Sequence, residues 1–193
     1  MPELTYLVLA IGLFCLVVFV VPRAIGVYLK FWGKRLVTCP ETRTPVAVDV
    51  DAKHAAHTAV RSGRPELRLS SCSRWPERQE CGQDCLLQVR MSPADCLVRT
   101  ILTEWYKGKT CVFCRRSCGE LHWFDHKPAL LSPKGITMEW SEVNPEELPD
   151  VLATYKPVCW DCHICETFRR EFSDIVVDRS YVVGAGEGPR AQA

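Results

Sequence analysis

The 193-residue chain has no excess of either charge, with 24 Lys and Arg against 23 Asp and Glu. That balance excludes a broad basic surface for a phosphate backbone, and equally an acidic, solvating tail protein. No H-E-x-x-H pair and no Ser-His-Asp set is present, which removes the commonest zinc-hydrolase and serine-hydrolase designs. Gly108-Lys109-Thr110 ends like a phosphate-binding loop, but Thr103 stands where that motif needs its first Gly. No internal repeat occurs. Cys159-Trp-Asp-Cys162 ahead of a helix would suit a thioredoxin-like dithiol, yet the βαβ pattern around it is missing. Glu120, Asp125 and Glu166 flank cysteines without the open coordination position of a catalytic zinc, and read as solvated surface. The balance of signals is against an enzyme.

Two features stand out against this background. From Leu4 to Pro22 the chain reads LTYLVLAIGLFCLVVFVVP. Nineteen helical residues rise roughly 28 Å, the thickness of a bilayer core. A cleaved signal peptide would carry a basic n-region and a small-x-small cleavage site, and neither is there. Residues 1–35 are therefore expected to form a transmembrane anchor with a basic-aromatic interface, built from Arg23, Lys30, Lys34, Arg35, Tyr28, Phe31 and Trp32. All four positive charges follow the span. The positive-inside rule then puts the N-terminus outside and the C-terminal domain in the cytoplasm. Residues 36–193 hold twenty basic and twenty-two acidic residues, so no nucleic-acid partner is expected. The expected partners are the membrane and other membrane-associated proteins.

The second feature is cysteine, twelve in all and eleven beyond the anchor. Such density signals bound metal or disulfides. Cys111-Val-Phe-Cys114 and Cys159-Trp-Asp-Cys162 are two C-x-x-C pairs, 44 residues apart. Each turn can bring two thiolates to one ion, and two turns make a tetrahedral Cys₄ site. Around an expected hairpin at Ala129–Leu131 and Ile136–Trp140, over about residues 109–166, the pattern resembles a zinc ribbon. Cys118, Cys165, His122 and His126 are alternative ligands. Cys39, Cys72, Cys81 and Cys85 form a second group that suits zinc or an iron–sulfur cluster, although it contains no C-x-x-C pair. Cys96 reads as a packed side chain. Cys159, Cys162 and His163 also spell C-x-x-C-H, the attachment motif of c-type haem. Zinc is the leading cofactor, with haem c or an iron-thiolate centre as the alternative.

The expected fold class is α+β: one transmembrane helix, then a small cysteine-rich metal-binding domain, zinc-ribbon-like in its C-terminal part. Residues 36–108 form a first lobe, 109–182 a two-knuckle lobe and 183–193 a disordered tail. Val46–Val50 alternates as a strand. Asp51 caps a helix over Ala52–Arg61 that Gly63 closes. Ser92-Pro93 opens another helix, whose apolar stripe is Leu97, Ile101 and Trp105. Residues 63–80 read as irregular. Short helices are expected over Glu146–Ala153 and His163–Phe172. The leading function is a membrane-anchored interaction or assembly module held by structural metal. The alternative is a membrane-anchored electron-transfer protein.

Overall fold

The computed structural model describes residues 2–77, 80–118, 121, 127 and 129–173. It is a mixed helix and sheet structure. Its chain opens with α1 (Pro2–Cys15), a π-helical turn (Leu16–Val20) and α2 (Val21–Phe31). Pro22 accounts for the turn: it has no N–H to donate, and its ring crowds the carbonyl one turn back, so the ladder widens there. Together Thr5–Phe31 make one helix of 27 residues, long and apolar enough to cross a membrane. Its apolar part stops before its end. Arg23 donates from Nη2 to the carbonyl of Gly63 at 2.8 Å, and Val27, Tyr28 and Phe31 pack into the first core. Two of the three rings assigned to a membrane interface are thus core side chains.

The first lobe is an antiparallel sheet of β1 (Arg35–Thr38), β2 (Pro45–Val50) and β3 (Leu69–Cys72), in the order β1-β2-β3. Helix α3 (Ala52–Ser62) covers it and is in turn covered by α2. Asp51 caps α3, accepting from the His54 N–H at 2.9 Å, and Gly63 ends it at φ +79°. Four alanines on one face of α3 (Ala52, Ala55, Ala56 and Ala59) are buried, and so small a face permits close packing. Strand β3 falls inside the stretch expected to be irregular. It is only four residues long, and its serines alternate with nothing that pattern reading detects.

Arg35 joins the apolar N-terminal helix to the sheet. It is fully buried, and its guanidinium donates to the carbonyls of Lys30, Phe31 and Gly33 at 2.7, 2.7 and 2.8 Å. The Lys30 and Phe31 carbonyls end α2 and that of Gly33 follows just beyond it, so a cation there also meets the negative end of the helix dipole. On the next residues the strand alternates: Leu36 packs into the second core and Val37 into the first. One strand therefore serves both lobes.

The second core gathers on α5 (Val98–Tyr106), α6 (Leu148–Thr154) and β4 (Ala129–Leu131). Helix α5 starts at Val98, later than the Ser92-Pro93 signal, because α4 (Leu86–Met91) occupies the preceding stretch and Ser92 ends it. Its buried stripe is Val98, Leu102 and Tyr106 rather than the neighbouring Leu97, Ile101 and Trp105. Both stripes have helical spacing and are apolar, and only the tertiary partner chooses between them. The second sheet has the order β5-β4-β6, with β5 at Thr137–Glu139 and β6 at Lys156–Val158. The expected hairpin is present, with Leu131 opposite Thr137 and Gly135 at φ +78° in its turn. The last described element is α7 (Trp160–Glu171). The expected tail at 183–193 lies outside the described residues.

Candidate metal centre

Cys111 opens a tight turn at the end of a short two-stranded arm. Its N–H donates to the Arg116 carbonyl at 2.9 Å, the Arg115 N–H returns to the Cys111 carbonyl at 3.0 Å, and Thr110 bridges Ser117. Arg115 closes the turn at φ +62°, a left-handed conformation usually left to glycine. The backbone N–H groups of Phe113 and Cys114 then point at the Cys111 sulfur. This is the knuckle expected from the sequence. The Val112 N–H donates to the Pro157 carbonyl at 3.1 Å, which pins the knuckle beside β6 and the residues that follow it.

The other pair differs from expectation. Cys159 is the N-cap of α7, and Cys162 sits in its first turn. A knuckle and a helix N-terminus, with the β4–β5 hairpin between them in the chain, replace the two knuckles of a zinc ribbon. A helix start does the same work chemically: residues three apart face one point, and the positive end of the dipole favours thiolate.

All four sulfurs lie within 4.8 Å of one another, with Cys114 Sγ and Cys159 Sγ 3.7 Å apart. An ion with Zn–S bonds of about 2.3 Å requires sulfur–sulfur edges of about 3.8 Å. The spacing fits a tetrahedral metal and is too long for a disulfide of about 2.05 Å. Among the described residues this is the one group of three or more such ligand atoms so close together. Cys111 is fully buried.

Electrostatics agree with that reading. Burial alone would raise the Cys111 thiol, but backbone N–H groups of Cys114, Cys159 and Phe113 outweigh it and hold its pKa below the ordinary value. Cys162 moves the opposite way, pushed up first by burial and then by its interactions with Cys159, Cys114 and Cys111. Four thiolates cannot share so small a volume without a cation to offset their repulsion. Cys118 lies near the group and is pushed up to about 11, by burial first and then by the charges of Cys111, Cys159 and Cys114. It remains outside the close quartet.

The other sequence candidates separate cleanly. Cys165 is exposed. His122 and His126 lie outside the described residues. His163 is buried, its backbone N–H bonded to the Cys159 carbonyl as part of α7, while its Nδ1 has no hydrogen-bond partner among the described residues. Cys96 is half-buried against Arg35, and burial is the main cause of its raised pKa. Cys39, Cys72, Cys81 and Cys85 line one cavity in the first lobe, without the close convergence of the quartet. Sequence reasoning missed that Arg115 completes the knuckle, because an Arg at a left-handed position carries no compositional signal. Compared with protein-family models, with curated proteins and with solved structures, the chain finds no match.

Proposed function

We propose that the chain is a single-pass membrane protein whose domain is organised by a structural zinc ion on Cys111, Cys114, Cys159 and Cys162, and that it serves as an interaction or assembly module for other membrane-associated proteins. The observation that supports this most is the convergence of four sulfurs from a knuckle and a distant helix start. With all four positions filled by thiolates, such an ion has no open site for a substrate, which is the structural type. The local core it would secure is small, with Cys111, Ala129 and Val158 its buried members. Binding energy of the ion is then folding energy for this lobe.

Membrane anchoring is supported by the apolar helix, whose described side chains from Thr5 to Phe19 are all exposed. An exposed apolar face of that length suits lipid and does not suit water. Arg23, Lys30 and Lys34, all on its C-terminal side, favour a cytoplasmic domain. Arg35 no longer counts toward that rule, since the fold buries it.

An electron-transfer role is the second reading. Iron takes the same four-sulfur set as zinc, and the buried His163 beside Cys162 keeps covalent haem in view. Elemental analysis and an absorption spectrum of the full chain, purified from its native membrane, decide between them. A colourless protein with bound zinc is expected, and the Cys111→Ser, Cys159→Ser variant should lose that ion and unfold the C-terminal lobe. Bound iron or a Soret band would replace the zinc reading with the electron carrier. A metal-free variant as stable as the parent would end both.

A further inference from the structure

The Cys39 turn repeats the Cys111 turn bond for bond. In the second lobe the Cys111 N–H donates to the Arg116 carbonyl at 2.9 Å and the Arg115 N–H to the Cys111 carbonyl at 3.0 Å. In the first lobe the Cys39 N–H donates to the Thr44 carbonyl at 2.9 Å and the Arg43 N–H to the Cys39 carbonyl at 2.8 Å. Arg43 closes its turn at φ +58°, as Arg115 does at +62°. In both, the sulfur accepts from the backbone N–H groups two and three residues on: Glu41 and Thr42 for Cys39, Phe113 and Cys114 for Cys111. Cys39-Pro-Glu-Thr42-Arg43 therefore has the backbone geometry of the Cys111 knuckle, with Thr in place of the second Cys. That substitution hid it from a search for C-x-x-C pairs.

A knuckle that presents one thiol needs three more ligands from elsewhere. Cys72 at the end of β3, Cys81, and Cys85 at the start of α4 line the same cavity as Cys39, which has a volume of about 40 Å³. A cavity of that size admits an ion or a few waters. Arg74 lines the cavity and donates from Nη1 to the Cys39 sulfur at 3.0 Å. A cation there offsets the surplus charge of four thiolates around a divalent ion. The indole N–H of Trp75, in the same wall, is buried with no hydrogen-bond partner among the described residues. It is a donor suited to thiolate sulfur. The four sulfurs are less close than those of the Cys111 quartet, and binding one ion requires them to draw together.

From this repeat and this cavity we infer that the first lobe holds a second thiolate centre, with Cys39, Cys72, Cys81 and Cys85 binding one divalent cation of the zinc class. The inference stands independently of the Cys111 quartet. Its test uses the full chain in mild detergent, loaded with zinc under reducing conditions and alkylated with iodoacetamide, with and without a chelator. Mass mapping reads each cysteine separately, and exposed Cys165 supplies the unprotected control. Cys39, Cys72 and Cys81 should be protected until the chelator is added, and the chain should carry two zinc ions. The Cys39→Ser, Cys85→Ser variant should carry one. Labelling of those three that the chelator leaves unchanged would overturn the inference, whether they label at once or are closed as disulfides. So would a parent chain with a single zinc. Labelling of Cys111, Cys114, Cys159 and Cys162 in the same map reports on the first centre, so either centre can fail alone.

Discussion

Arg35 shows how far a single side chain can depart from what its letter suggests. Next to an apolar run it reads as one more interfacial cation, whereas its buried guanidinium caps the last two carbonyls of α2 and that of Gly33 just beyond. Burial lowers its pKa, opposed by Cys96 and Asp49, and a guanidinium stays charged regardless. Arg35→Met strands those carbonyls and should cost about 3 kcal/mol, since each buried unpaired group costs about 1–3. Arg35→Lys should recover only part of that, because a single ammonium lacks the planar fork. Tryptophan-monitored denaturation measures both, and equal stability of parent and Arg35→Met would refute the capping role. Asp51 offers a pH test. Its carboxylate accepts from the His54 N–H and from Arg68 at 2.9 and 2.6 Å, and its pKa lies below the ordinary value, first through His54 and then Arg68. A group whose folded pKa is depressed contributes stability above its unfolded value, near pH 4, and loses that contribution as pH falls further. Asp51→Ala should therefore cost about 1 kcal/mol at neutral pH and should flatten the loss of stability below pH 4. An unchanged acid limb would mean that another carboxylate dominates.

At the level of elements, whatever depends on local signals was legible and whatever depends on distant partners was not. Asp51 and Gly63 bracket α3 as capping rules require, and Gly135 marks the β4–β5 turn. The two C-x-x-C pairs point to a shared Cys₄ site, and the structure brings those four sulfurs together. Strands β3 and β6 went unseen, being four and three residues long and paired only through neighbours distant in sequence. The face of α5 was misplaced by one residue for the same reason. The knuckles add a subtler case, in which Arg43 and Arg115 occupy positions where glycine would be the legible choice. Arg115→Gly should preserve metal binding, since glycine reaches φ +62° without strain. Arg115→Pro cannot reach that angle, and it removes the N–H that donates to Cys111, a combined cost of about 2–4 kcal/mol. Metal bound at the Cys111 centre is the readout: retained in Arg115→Gly, lost in Arg115→Pro. Retention in both would show that the turn does not organise the site.

On the scale of the whole molecule, no flexible linker separates the apolar helix from the domain. Arg23 already bonds to the end of α3, Tyr28 and Phe31 lie in the first core, and Arg35 locks the helix end to β1. If residues 5–22 occupy the bilayer, a length of about 27 Å, the domain sits against the headgroups in a fixed orientation. Any partner it engages would then meet one defined face of it. Continuity of helix and core also sets where the folded unit begins. A boundary at residue 36, natural from composition, removes Phe31 and Arg35 and uncovers α3. Phe31 alone is worth about 1.5–3 kcal/mol of burial, and together with the lost cap this approaches the 5–15 kcal/mol that stabilises an ordinary domain. A truncated chain starting at Val21 should unfold cooperatively in a mild detergent that shields Ile25 and Leu29, both exposed on α2. One starting at Leu36 should lack a cooperative transition under the same conditions. If the two truncations melted alike, α2 would contribute nothing to the stability of the domain, and the folded unit would begin after it.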